Sequence, residues 1–303
     1  MERSYQKAWN KAFKNRLKVG HVVANLFNNT TLTEVSLLAL EKNTFFGAIY
    51  YQTNPRKTND YKMNFLVNTT YRTEAEEIMD DFSIAGPILN DALDKLAIIN
   101  KLLGGNSVTL NGLKVLVKNQ PKNKPITIID LGCGGGDILR AIAQYGKKEG
   151  YNFQLIGVDA NKNATDYAAT LSTNYENISF VHVDVFSEEF KAMRYDIVIT
   201  TLFLHHFKGA VLLQLVKHLV KTANMGIVVN DLHRHRLAYY LFKLITIPVK
   251  NKMIIEDGLT SVLRGFKRKE LVDLSKQLNS NHQLNWKWAF RYQWILKSSE
   301  FKV

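Results

Sequence analysis

Two polar knots concentrate the chemistry of this 303-residue chain. One is His205-His206, within Thr201-Leu202-Phe203-Leu204-His205-His206-Phe207; the other is Asn230-Asp231-Leu232-His233-Arg234-His235-Arg236. Histidine, with an unperturbed pKa of about 6.5, is the side chain best suited to taking a proton near neutral pH. His233 is therefore the first candidate base and His205 the second, with Asp231 the carboxylate available to orient an imidazole. The plainer role for His205 and His206 is to line a cleft or cap a helix. Paired histidines also suggest a metal, but neighbours on one loop rarely face the same point and no carboxylate cluster is evident, so no metal ligand is assigned.

Three further acids each close an apolar run. Asp130 ends Ile126-Thr127-Ile128-Ile129, Asp159 ends Leu155-Ile156-Gly157-Val158, and Asp184 ends Phe180-Val181-His182-Val183. After Asp130 come Gly132, Cys133, Gly134, Gly135 and Gly136, and a helical pattern begins at Ile138. A strand, a glycine turn and a helix start let a ligand approach bare main chain beside unpaired N–H groups, and a nucleoside cofactor suits such a place. A dinucleotide site would need a third glycine where Asp137 stands. A carboxylate at Asp159, at a strand's C-terminal edge above the turn, suits paired ribose hydroxyls.

The string Asp130-x-Gly132-x-Gly134-x-Gly136 resembles the first motif of class I S-adenosylmethionine (SAM) methyltransferases. The resemblance implies SAM as cofactor and contacts from Asp130, Gly132, Cys133, Gly134, Gly136, Asp159, Ala160, Asp184, Val185 and Thr200. In it Asp130 lies under the turn and meets the methionine end through backbone or water, and Asp184 meets the adenine amino group. The alternative for Asp184 is an N-cap for the helix beginning at Ser187. The fourth-strand segment lacks the Asn/Asp-Pro-Pro-aromatic string of nucleic-acid amine methyltransferases; Leu204-His205-His206 instead resembles quinone-biosynthesis and related small-molecule methyltransferases.

Such a site needs a parallel sheet beneath it. Apolar, β-favouring runs recur at 153–158, 178–183, 196–200 and 226–230 with helical stretches between, which predicts an α/β sheet with helices on both faces. Two final runs, 283–289 and 291–296, are almost contiguous and resemble the antiparallel hairpin that ends the methyltransferase sheet. The expected fold is thus a Rossmann-like, seven-stranded, mostly parallel sheet with an antiparallel last strand and a helical N-terminal extension.

Residues 1–62 form that extension in this reading, 63–120 a helical cap leading into the core, and 121–303 the SAM-binding domain. Tyr5, Ala8, Trp9, Ala12, Phe13 and Leu17 make an apolar helical stripe opposite Lys7, Lys11, Lys14 and Arg16. Ala8-Trp9-Asn10-Lys11, Arg16 to Gly20 and Leu26-Phe27-Asn28-Asn29 resemble the C-terminal tail of geranylgeranyl-reductase-type flavin oxidoreductases, without their nucleotide-binding parts. Met63 would begin a complete methyltransferase, so a fused fragment and an ordinary helical extension both stand. From Tyr71 to about Lys118 the pattern is helical, closed midway by Gly104 and Gly105. Glu76-Glu77-Ile78-Met79-Asp80-Asp81 and Ile99 to Gly104 resemble the lead-in of methyltransferases associated with type III polyketide synthases.

The single cysteine, Cys133, excludes an internal disulfide and a cysteine zinc site. A polar N-terminus and the lack of an apolar run of about 18 residues predict a cytoplasmic protein. The net charge of +13 fits a lysine-rich solvated surface, or a partner that is nucleic acid, anionic lipid or acidic substrate. Residues 234–252, apolar and aromatic with cations at the edges, read as a substrate-pocket helix with Tyr239 and Tyr240 turned inward or as a peripheral contact with the inner membrane face. The function expected is methyl transfer to a small-molecule acceptor, a phenolic or quinol-like hydroxyl of secondary metabolism, with no nucleic-acid partner. RNA or protein methylation and a non-enzymatic SAM-binding subunit are the alternatives.

Overall fold

A computed structural model describes residues 67–247, 249, 251–278 and 280–298. Contacts divide the chain into Met1–Asn64 and Phe65–Val303, and the second unit is the one described. The expectations for residues 1–62 and the start at Met63 lie outside the described residues.

Seven strands form one sheet in the order β3-β2-β1-β4-β5-β7-β6. They are β1 Pro125–Leu131, β2 Asn152–Asp159, β3 Ile178–His182, β4 Ile197–Thr201, β5 Gly226–Leu232, β6 His282–Lys287 and β7 Arg291–Lys297. β1 to β5 are mutually parallel, whereas β7 runs antiparallel to β5 and to β6. This is the Rossmann-like methyltransferase sheet that the terminal hairpin predicted. The central strands are buried on both faces, which is why they read as continuous Ile/Val/Leu runs without polar alternation. Ile129, Leu131, Val198 and Val229 pack into one core; Ile128, Ile197, Ile199 and Val228 pack into the other. Each fully buried aliphatic side chain contributes about 1.5–3 kcal/mol of hydrophobic free energy.

Helices cover both faces: α1 Pro87–Leu102, α2 Gly105–Val117, α3 Asp137–Glu149, α4 Lys162–Leu171, α5 Glu188–Ala192, α6 Gly209–Thr222, α7 Arg236–Ile245, α8 Lys252–Arg264 and α9 Arg268–Ser275. In α3 the buried set Ile138, Leu139, Ile142, Ala143 and Gly146 follows the helical period. The cap differs from its expected form. Residues 71–77 are not helical, a single 3₁₀ turn spans Ile78–Asp80, and Phe82 is exposed. Instead of an apolar stripe, polar bonds hold this stretch: Arg72 donates to the carbonyls of Phe207 (2.8 Å), Arg264 (2.6 Å) and His205, and Asp257 accepts from the N–H groups of Ile78 and Met79. Gly104 and Gly105 close α1, which ends at Leu102, and open α2 at once. Gly104 takes φ 78° and α2 starts at the next residue.

In 234–252, Arg234 is fully buried and bonded to Glu270 and three main-chain carbonyls, so it is no headgroup contact. His235 caps α7, accepting from Leu237 N–H at 3.1 Å. Leu244 and Ile247 are exposed. No helix among the described residues is long and apolar enough to cross a membrane.

Candidate active site

The C-terminal ends of the parallel strands carry the residues singled out from sequence. After β1 the main chain takes positive φ at Gly132 (66°), Gly134 (48°) and Gly136 (72°), and Arg140 of α3 donates to Gly135 O at 2.7 Å. A Cβ on Gly132 would stand 2.4 Å from the Phe203 ring, and one on Gly136 would stand 2.8 Å from the Phe180 ring. Both conformation and contact therefore demand glycine there. Cys133 is buried, contributes to the core and lies beside Gly157, with its thiol pKa pushed well up by burial. It fills space and offers no thiolate.

Asp159 steadies the turn: its two carboxylate oxygens accept from Gly134 N–H and Asn161 N–H, each at 2.9 Å. Burial raises its pKa, and those two bonds counter the rise. Next to it, Ala160 O lies 3.0 Å from His182 Nε2. Asp184 is exposed and accepts from Phe186 N–H, while the cap of α5 is Ser187, which accepts from Phe190 N–H. The capping role considered for Asp184 thus belongs to Ser187. Val185 packs into the core, and Thr200 is fully buried with its hydroxyl unpaired.

Asp130 is 2 % exposed, and its Oδ1 has no hydrogen-bond partner in the protein. Burial, then the charges of Asp137 and Asp159, push its pKa well above the usual carboxylate range. An unpartnered buried acid beside a turn that excludes a Cβ at Gly132 and Gly136 fits a ligand bearing an ammonium group. A nucleoside with an amino-acid end meets that description.

The histidines sort differently from the sequence expectation. Asp231 serves His205 and not His233: His205 Nδ1 is 2.7 Å from Asp231 Oδ1, and His205 N–H donates to Asp231 Oδ2 at 3.1 Å. Burial alone would lower the His205 pKa. The Asp231 carboxylate, aided by Glu77, outweighs it and raises the value to about 9. His205 Nε2 lies 3.5 Å from Glu77 Oε1, an ion-pair separation without a well-formed hydrogen bond. His233 instead accepts from Trp286 Nε1–H at 3.2 Å and packs among His235, Phe290 and Tyr292. Burial and then the nearby charges of His235, Lys267 and Arg234 lower its pKa to about 3.

The two adjacent histidines do converge, contrary to the expectation for one loop. Their rings stack with centroids 4.4 Å apart on the 3₁₀ turn Leu204–His206. A carboxylate cluster is present too, formed by Glu77, Asp80 and Asp231. Ligand atoms of Glu77, His205 and His206 lie within 4.8 Å of one another. The cation among them is Arg264, whose Nη1 lies 2.8 Å from Asp80 Oδ2, 3.4 Å from Glu77 Oε1 and 3.1 Å from His206 Nδ1. That guanidinium fills the electrostatic role a metal would take, so no metal is assigned. Sequence reasoning missed Glu77, Asp80, Arg264 and Arg72. The acidic run 76–81 was the one visible signal, and nothing local ties it to a loop more than 100 residues away.

Ring contacts join this cluster to the glycine turn. Phe203 packs on Gly132 and sits 6.4 Å from the His206 ring, and the His206 charge acts on Asp159. An open cavity of about 480 Å³ leads to Glu77, lined by Glu76, Glu77, Ile78, Asp80, Asp81 and Arg264.

Residues 128–226, from within β1 to the start of β5, match the sequence model of a methyltransferase domain. This is the stretch that is similar to methyltransferase domains. It contains the glycine turn, Asp159, Asp184 and His205, while Asp231 and the hairpin follow it. Among solved structures, the plantazolicin methyltransferase BpumL in complex with SAH aligns at 16 % identity over 68 % of this chain and 89 % of that one, TM-score 0.52. The same enzyme with a triazolic desmethylPZN analog and SAH aligns at 17 % identity over 70 % and 90 %, TM-score 0.51. At such identities the likeness establishes the fold alone. No curated protein matches the sequence.

Proposed function

We propose that the methyltransferase domain moves a methyl group from SAM to a small-molecule acceptor, a phenolic or quinol-like hydroxyl, with the His205–Asp231 pair as its base. The observation that carries this reading is the buried pair, joined through Phe203 and His206 to a glycine turn lined by Asp130 and Asp159. The likeness to a natural-product methyltransferase bound to SAH supports the cofactor.

SAM supplies an electrophilic methyl group on a sulfonium. Displacement on such a carbon needs orientation more than covalent help, and well-positioned reactants gain several kcal/mol from proximity alone. The chain's residues do the rest. Asp130 receives the ammonium end, Asp159 the ribose and Asp184 the adenine side. Asp231 holds Nδ1–H of His205, which directs Nε2 as the proton acceptor. A phenol with a pKa of about 10 is closely matched to an imidazole held near 9. Glu77 must swing from Nε2 to admit the hydroxyl, and the cavity beside it is the route. Four carboxylates on that route repel a polyanion, which disfavours RNA despite the net charge of +13. The lead-in resemblance to enzymes associated with type III polyketide synthases points to resorcinol-like phenols.

Calorimetric titration with SAM, followed by labelled methyl donor with alkylresorcinols, quinols and total RNA, tests the proposal. Saturable SAM binding and label in the phenols are expected. Absence of SAM binding would overturn the enzyme reading, and label confined to RNA would overturn the acceptor.

A further inference from the structure

Arg291, at the start of β7, is 2 % exposed, and its Nε has no hydrogen-bond partner. One polar contact is recorded for the guanidinium, Nη1 to Asn230 Oδ1 at 3.2 Å, and among the described residues it forms no ion pair. Burying an unpaired guanidinium is costly.

Its surroundings are built for an anion. The Arg291 Cζ would stand 3.1 Å from a Cβ placed on Gly105, the first residue of α2, with the Asn100 amide, its Oδ1 buried and unpaired, closer still to that point. The opening N–H groups of a helix lack intrahelical partners and carry the positive end of its dipole, and Gly104 supplies no capping side chain. A buried guanidinium with an unpaired Nε and the N-terminus of a 13-residue helix thus lie side by side.

That place connects to the glycine turn. Asn100 Nδ2–H donates to Asn106 Oδ1 at 2.8 Å, and Asn106 Nδ2–H lies 3.3 Å from Asp137 Oδ2, the residue after Gly136. Asp137 acts electrostatically on both Asp130 and Arg291. Near it are an acid whose Oδ1 lacks a donor and a cation that feels Asp231 and Asp137 but has no carboxylate at ion-pair distance among the described residues. An α-amino acid zwitterion complements both.

We infer that Arg291 and the N-terminus of α2 bind the methionine carboxylate of the cofactor, while Asp130 takes the ammonium group. The inference rests on the cofactor reading proposed above and deepens it. It makes the antiparallel last strand part of the cofactor site, and gives a reason for a buried arginine in a strand whose other buried residues are Tyr292, Gln293, Trp294, Ile295 and Leu296. It also implies that the site tells whole S-adenosyl amino acids from their nucleoside fragments.

The test compares S-adenosylhomocysteine with 5′-methylthioadenosine, which keeps the nucleoside thioether but has no amino-acid end. Calorimetry on the full chain should show Arg291→Gln weakening S-adenosylhomocysteine about 10- to 100-fold, the scale of a lost charge-assisted hydrogen bond. Its affinity for methylthioadenosine should stay within about twofold. Asn106→Asp, which adds a negative charge to the same site without removing the buried arginine, should repeat the selective loss if the glutamine variant does not fold. Equal loss for both ligands in folded protein would make Arg291 structural and overturn the inference. Unchanged S-adenosylhomocysteine affinity with a raised acceptor KM would overturn it by assigning the anion site to the acceptor. Wild-type protein binding neither ligand would instead defeat the cofactor reading beneath it.

Discussion

His205 Nδ1 and Asp231 Oδ1 lie 2.7 Å apart, both residues 1 % exposed, across the C-terminal edges of β4 and β5. Parallel pairing of those strands places Thr201 beside Asn230, so the loop after one and the end of the other meet. His205→Ala should reduce kcat by about 10²- to 10⁴-fold, the usual scale of a general base, with cofactor affinity near wild type. Single-turnover methyl transfer together with S-adenosylhomocysteine titration would show the split; a variant as active as wild type leaves catalysis to proximity.

Because His205 is held as imidazolium up to about pH 9, the fraction able to accept a proton grows with pH. Turnover should climb through neutrality and level off near that value. Asp231→Asn removes the largest stabiliser of the charged ring, so the inflection should move toward the ordinary 6.5. A pH–rate profile of both proteins decides this, and coincident profiles would assign the titration to another group.

Stability follows the same groups with a definite sign. His205 has a raised folded pKa, so its contribution is complete below 6.5 and disappears as pH rises through about 9. Glu77 and Asp231 have depressed values, so theirs is complete above about 4.5 and falls away on acidification. Denaturant midpoints should therefore be highest between roughly pH 5 and 6.5. His205→Gln should flatten the alkaline side of that curve.

His233 is held neutral in an aromatic nest, with no carboxylate on its ring. His233→Ala should leave kcat within a few-fold and cost about 1–2 kcal/mol of stability through lost packing. A loss comparable to that of His205→Ala would restore it as the base.

Gly132→Ala combines positive φ with a Cβ 2.4 Å from the Phe203 ring. A cost of about 2 kcal/mol or more and a loss of cofactor binding are expected. Adding Phe203→Leu should restore part of the stability by relieving the contact. Thermal denaturation of the single and double variants reads this directly.

What the sequence determined by itself is whatever depends on short spacing. The glycine turn, the acids at the ends of β1 and β2, the alternation that makes a parallel sheet and the terminal hairpin are each encoded within a few residues, by backbone conformation and periodicity. The partner of each histidine was not. Asp231 stands two residues from His233 and 26 from His205, yet β5 ends at Leu232, the His233 ring is taken up by Trp286, and it is the pairing of β4 with β5 that delivers the Asp231 carboxylate to His205. Only tertiary structure brought Glu77 and Arg264 over that pair, and only the antiparallel return of β7 buried Arg291 against α2, because such long-range contacts leave no local period to read.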